Sequence, residues 1–244
     1  MNGGARVSAL GARRSALGVR LLVTALAAVC FAAARSRPPA PIVCIDPGHP
    51  SEISLGDERI NGITEAHADW IVALKLRAAL EARGIVVCMT KSREDTLVRN
   101  RDRAEIANRA GAALLVRLHC DTGRDSGFAV YYPDRVGTAQ GRTGPSDSVR
   151  ASSQRAAAAL HAAMRELLGA DLHDGGLLGD SKTYIGGKQG ALTGSIFSDV
   201  PVVTIEMVVL SHPADARFIR SDSGSSAMAA AIAAGVARFV AVGH

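Results

Sequence analysis

The sequence predicts an α/β fold in three layers, a largely parallel sheet covered by helices on both faces. Short apolar runs bounded by turn residues recur at 42–46, 85–90, 114–118 and 202–205, with the length and framing of buried strands. Longer stretches with helical apolar spacing separate them, and strands alternating with helices need the crossovers of a parallel sheet. The runs also end alike. Asp46-Pro47-Gly48 breaks the first and presents His49, while His119 follows Leu118 and Glu206 follows Ile205. Open α/β sheets bind ligands at the carboxyl ends of their strands.

The elements can be justified in order. After the first strand comes a polar loop at 51–64, then a helix at 65–83 whose apolar face includes Ile71, Leu74 and Ala78 and which Gly84 stops. The strand 85–90 follows, and a helix near 95–110 ends at Gly111. The next strand runs to Leu118 and another spans 127–132, before a flexible Gly/Ser/Thr-rich stretch at 137–153 and a helix at about 149–168. Residues 171–194 are glycine-rich and read as an irregular loop region. The strand into Glu206, a short helix after Ser211-His212-Pro213 and a terminal helix at about 225–242 complete the chain.

Residues 1–34 read as a secretory leader. They hold Arg6, Arg13, Arg14 and Arg20 and no acid, then an apolar run at 21–34 that is shorter than the roughly 20 residues of a membrane span. Ala32-Ala33-Ala34 marks a cleavage point, and 35–41, with Pro38-Pro39, is a linker. The expected catalytic domain is 42–244, exported to the periplasm or the extracellular cell wall as a monomer that meets the membrane only transiently through the leader. Removing the leader's four arginines takes the net charge from +5 to +1, and no basic stripe with interleaved aromatics remains. No nucleic-acid partner is expected.

Cys44, Cys88 and Cys120 lack the Cys-x-x-Cys spacing of structural zinc sites. Cys44 and Cys88 fall in neighbouring strands of an exported protein, where a bridge can persist, but two buried core thiols are the reading preferred here.

Glu65 opens the first helix, so that His49, His119, Glu65 and Glu206 place two imidazoles and two carboxylates at element ends. This is the side-chain set of a catalytic zinc hydrolase, which uses three protein ligands and leaves a position open to water. Singly, each has a blander role: a histidine at a strand end is more often structural, and Glu65 suits any helix start. A carboxylate closing an apolar strand, as Glu206 does, needs a compensating charge. Arg103 and Asn108 are read as organising helix and loop, Asp46 as a hydrogen-bond partner of a ligand histidine, and His67, His161, His173, His212 and His244 as surface or capping residues.

Asp46-Pro-Gly-His49, the helix-opening Glu65, Arg103-x-x-x-Ala107-Asn108, Leu118-His119-Cys120-Asp121 and Pro201-Val-Val-Thr-Ile-Glu206 with Leu210-Ser211-His212-Pro213 occur in that order. Together they resemble the zinc-dependent N-acetylmuramoyl-L-alanine amidases of the family-3 type, over nearly the whole chain from Ile42 to Val242. The resemblance implies a twisted, mixed but mostly parallel sheet of about six strands flanked by helices. It implies one Zn2+ held by His49, Glu65 and His119, with Glu206 as the catalytic carboxylate. The substrate implied is peptidoglycan or a muropeptide, cut between the lactyl group of N-acetylmuramic acid and L-alanine of the stem peptide. Pro50-Ser51, Cys120-Asp121 and Met207-Val208 depart from the common family pattern around the site and imply an altered stem-peptide preference. Members regulated by a helix over the zinc carry an inserted helical segment, whereas 133–148 has no apolar periodicity and predicts no such plug.

Other function classes remain open at this level. One is a catalytically weak peptidoglycan-binding or activator module, another a zinc carboxypeptidase acting on the stem peptide. A glycosidase using Glu65 and Glu206 as acid and base would need no metal.

Overall fold

The computed structural model describes residues 1–3 and 39–242, so most of the expected leader and linker, and His244, lie outside the described residues. The chain divides into Met1–Pro39 and Ala40–His244, and every element below belongs to the second unit. Its centre is one six-stranded sheet in the order β4-β1-β5-β10-β6-β9. The strands are β1 (Ile42–Pro47), β4 (Val86–Met89), β5 (Leu114–Asp121), β6 (Phe128–Tyr132), β9 (Asp174–Gly179) and β10 (Val202–Val209). The first four in the order run parallel, β6 is antiparallel to β10, and β9 is parallel to β6. Among the described residues seven α-helices flank the sheet: α1 (Glu65–Glu81), α2 (Asn100–Arg109), α3 (Asp147–Leu168), α4 (Tyr184–Gln189), α5 (Thr193–Ile196), α6 (Pro213–Arg220) and α7 (Asp222–Ala241).

Side-chain alternation makes the two faces of the sheet unlike. Val43 and Ile45, Leu114, Val116 and Leu118, Val203 and Ile205, and Phe128 and Val130 share the main core with Leu76, Leu160, Met164, Ile232 and Val236 of α1, α3 and α7. Burying each such Leu, Ile or Val contributes about 1.5–3 kcal/mol. The opposite face starts apolar, with Cys44, Leu115 and Val202 packed on Ala107 of α2. It turns polar toward the carboxyl ends. Asp46 stands beside Arg117, Arg117 beside Thr204, and His119 beside Glu206 in register across the parallel strands. One face therefore supplies most of the core and the other carries a polar patch that includes His119 and Glu206.

Several boundaries differ from the sequence-based expectation, each for a tertiary reason. β5 and β10 continue past Leu118 and Ile205, so His119 and Glu206 lie inside strands, at a level that β1 has already left. The loop 51–64 contains a two-residue hairpin, β2 (Arg59–Ile60) with β3 (Ile63–Thr64). Helix α2 starts at Asn100 instead of near 95 because its first free N–H is satisfied from afar: Glu52 Oε2 accepts from Asn100 N at 2.9 Å. The stretch 137–153 is ordered as a hairpin, β7 (Gly137–Ala139) with β8 (Arg142–Gly144), followed by the start of α3. Its turn, Gln140-Gly141, has positive φ at both residues, which a type I′ turn demands but which glutamine does not advertise. The region 171–194 holds the edge strand β9, whose Asp-Gly-Gly-Leu-Leu-Gly sequence has no alternation to announce it.

Cys44 and Cys88, expected as separate core thiols, form a disulfide. They are register partners on adjacent parallel strands, with Cα atoms 4.3 Å apart. Cys120 is free and buried.

Candidate metal centre

The site begins where β1 turns out of the sheet at Gly48. A Cβ there would stand 2.2 Å from Cε1 of His119, in steric overlap with its imidazole ring, so only glycine lets the β5 histidine pack against this turn. Arg103, wholly buried on α2, holds the turn open. Its Nη1 donates to Asp46 Oδ1 and Pro47 O, both at 2.5 Å, its Nη2 to Pro50 O at 2.6 Å and its Nε to Val98 O at 2.9 Å. Asp46 also accepts from Thr90 Oγ1 at 2.6 Å and from Arg117 Nε at 2.9 Å. Burial acts to raise the Asp46 carboxyl, but the guanidiniums of Arg103 and Arg117 hold it well below the usual carboxylate range.

Asp46 therefore does not orient a ligand histidine, as its position in the sequence suggested. That task falls to a backbone carbonyl. His49 Nδ1 lies 3.0 Å from Ser54 O, which can only accept, so Nδ1 is the donor there and Nε2 is turned toward Glu65. The loop closes tightly enough for this because Gly56 has φ +65° and approaches His49 where a Cβ would be 2.5 Å away. Lys91, buried beside it, donates from Nζ to His49 O and Glu94 O. Burial and the nearby Arg103 lower its ammonium to about 8.

Glu65 is delivered by a helix start. Thr64 caps α1, its hydroxyl accepting from His67 N at 3.2 Å, and Glu65 is the first residue of the helix. Its Oε1 lies 3.1 Å from His49 Nε2 and 3.2 Å from His119 Nδ1, and also accepts from Cys120 N at 3.2 Å. Burial raises the Glu65 carboxyl, yet hydrogen bonding to His119 and His49 outweighs it and brings the group down to about 2. Burial lowers the His119 imidazole and favours its neutral form. One donor atom from each of the three residues lies within 4.8 Å of the others. Two imidazole nitrogens facing one carboxylate oxygen form an electron-rich cluster that a divalent cation would balance. Two imidazole nitrogens with one carboxylate suit zinc in particular.

Glu206 stands beside His119 on the next strand, and the two share a cavity of about 190 Å³ with His49. Glu206 Oε2 is buried without a hydrogen-bond partner among the described residues. Burial pushes its carboxyl well up, and the negative charges of Glu65 and Asp121 push it further.

The structure thus brings together all four residues singled out in the sequence. Arg103 and Asn108 organise loops, the latter bonding Phe197 O and Asp199. His67 pairs with Glu94, His161 with Asp174 and His212 with Asp215, none of them at the cluster. Arg117 escaped the sequence reading. The signal was an arginine inside the apolar run Leu114-Leu115-Val116-Arg117-Leu118, since a buried guanidinium must be paired.

Comparison with known proteins gives a consistent picture. Residues 43–238 match the family model described as N-acetylmuramoyl-L-alanine amidase. The N-acetylmuramoyl-L-alanine amidase Rv3717 of Mycobacterium tuberculosis is 27% identical over 223 residues, covering 82% of this chain and 86% of that protein. Among solved structures, the N-acetylmuramyl-L-alanine amidase Ami1 of Mycobacterium smegmatis is similar at a TM-score of 0.66 and 24% identity, over 84% of this chain and 100% of its own. The amidase AmiC2 of Nostoc punctiforme is similar at a TM-score of 0.66 and 21% identity, over 82% and 97%.

Proposed function

The chain belongs to the N-acetylmuramoyl-L-alanine amidase family, and from that premise we propose that it is a zinc hydrolase of peptidoglycan, cleaving the amide between N-acetylmuramic acid and L-alanine of the stem peptide. The observation that carries the reading is the convergence of His49 Nε2, Glu65 Oε1 and His119 Nδ1 beside the unpartnered Glu206 carboxyl. Zinc held by those three residues supplies a more acidic water, with a pKa lowered towards about 7, and polarises the scissile carbonyl.

The protein's own residues do the rest. The Ser54 carbonyl fixes the tautomer and direction of His49, and Gly48 fixes the seat of His119, so the donor set is assembled before substrate arrives. Glu206 takes a proton from the attacking water at its free Oε2 and returns it to the leaving amine nitrogen of alanine. Glu65 is engaged by both imidazoles, which leaves it poorly placed to serve as the acid of a glycosidase pair.

Digestion of purified peptidoglycan tests this directly. Mass spectrometry should show peptides with a new L-alanine amino terminus and glycans with a free lactyl carboxylate, and a chelator should abolish the reaction. His49→Ala or His119→Ala should lose most of the one zinc per chain. Products cut within the glycan or lower in the stem peptide would refute the bond assignment. Full metal occupancy in either variant would refute the ligand assignment.

The same reading places the protein outside the cytoplasm, with residues 1–34 as a leader removed on export. Amino-terminal sequencing of the secreted protein should begin just after Ala34. A mature protein that begins before Leu21 would mark the segment as retained.

A further inference from the structure

A second polar row lies one step deeper on the sheet face that carries His119 and Glu206. Register places Asp46, Arg117, Thr204 and Tyr131 side by side across β1, β5, β10 and β6. The last three of these line the same cavity as His49, His119 and Glu206. Same-face residues two apart on a strand are separated by roughly 6–7 Å, so the row lies about two residues' rise from His119 and Glu206.

Its hydrogen-bonding capacity is not used up among the described residues, although Asp180 and Glu206 act on Arg117 from beyond ion-pairing distance. The single carboxylate of Asp46 serves two guanidiniums, and both ion pairs are buried. Arg103 spends its three nitrogens on Asp46 and on the backbone of Pro47, Pro50 and Val98. Arg117, 3% exposed, donates from Nε to Asp46 and from Nη2 to Asn100 Oδ1, while Nη1 has no hydrogen-bond partner among the described residues. Among the described residues Asp46 is also the one carboxylate within ion-pairing distance of Arg117, since Asp180 and Glu206 do not come that close. Thr204 adds an independent sign: its Oγ1 is buried and unpartnered beside Arg117. A buried guanidinium with one nitrogen unused and an orphaned hydroxyl lining one cavity are costly unless a ligand engages them. Tyr131, whose phenol burial and Glu206 keep protonated, with a pKa of about 12, adds a third donor.

We infer that Arg117, Thr204 and Tyr131 form a subsite for a carboxylate in the peptide half of the substrate. The inference rests on the amidase reading only for the identity of that substrate. One unused guanidinium nitrogen, a hydroxyl and a phenol lining one small cavity offer three donors to an anion with two acceptor oxygens. The neighbouring Glu206 and metal ligands place that anion next to the bond to be cut. An acidic residue following alanine would be selected over its amidated counterpart.

The test compares N-acetylmuramoyl-L-alanyl-glutamate with its diamide, in which both glutamate carboxyls are carboxamides. The wild-type protein should favour the acid by about 10–100-fold in kcat/KM, mostly through KM, the effect of one charge-assisted arginine contact. Arg117→Met should abolish the preference and Thr204→Val should reduce it. Because the readout is a ratio of two substrates, a general loss of activity cancels. Equal use of both compounds by the wild type, or an undiminished preference in Arg117→Met, overturns the subsite. If Arg117→Met does not fold, the near-isosteric Thr204→Val decides, an unchanged preference again overturning it. If neither compound is cleaved, the amidase reading fails, and calorimetric binding of the same two compounds still reads the preference and judges the subsite separately.

Discussion

Glu206→Gln is expected to leave the fold and near-stoichiometric zinc intact while lowering turnover by roughly 10²–10⁴-fold, the usual contribution of a positioned acid/base. The replacement is isosteric, and the carboxyl it removes makes no hydrogen bond through Oε2 that the fold would miss. What disappears is the capacity to hold a proton between water and the leaving amine. Glu65→Gln makes the opposite demand. Glu65 sits between both histidines and takes the Cys120 N–H, so its loss should weaken metal affinity, and added zinc should restore part of the activity. Zinc content together with single-turnover rates separates the two roles. A near-normal rate in zinc-loaded Glu206→Gln would dismiss the catalytic assignment, and loss of zinc from that variant would make Glu206 a ligand.

The largest expected effect on stability comes from Arg103→Met. Arg103 and Asp46 are both fully buried, and removing the guanidinium leaves Asp46 with Arg117 as its one remaining ion-pair partner among the described residues and strands the carbonyls of Pro47, Pro50 and Val98. Breaking one side of a buried ion pair costs about 3–5 kcal/mol, which denaturant unfolding at pH 7 should register. The pH dependence has a definite sign. Asp46 has a folded-state pKa held below its ordinary 3.8, so its contribution is present in full above that value and is lost as pH falls from about 4 through the depressed value. The wild type and the variant should therefore converge in stability on the acid side. A gap that is small at pH 7, or that widens below pH 4, would show that the Asp46–Arg103 pair does not hold the His49 turn together.

Much of the fold was legible because its signals are local. Apolar runs framed by Asp-Pro-Gly and Gly84 announced the parallel strands, and the Thr64-Glu65 helix start was visible as a position where an acid suits the helix dipole. Elements without local signals were missed. β9 is glycine-rich and held as an edge strand by its pairing with β6, and α2 takes its first hydrogen bond from Glu52, far away in the chain. Sequence spacing places Cys44 and Cys88 on neighbouring strands. That they meet as a bridge depends on register, a property of two strands at once.

The same division runs through the site. Sequence by itself singled out the four residues that the structure gathers around one cavity, because two histidines and a carboxylate closing apolar strands, with an acid opening a helix, are out of place together unless something compensates them. Only the tertiary structure decided how they are held. Asp46 turned out to serve Arg103 and Arg117, and the Ser54 carbonyl took the role of orienting His49. It also decided that Arg117, Thr204 and Tyr131 face the same cavity as Glu206. Hydrogen-bond partnership and charge balance depend on distances between segments far apart in the chain. Those distances are set by sheet register and by close approaches such as Gly48 against His119, and no local pattern of residues encodes them.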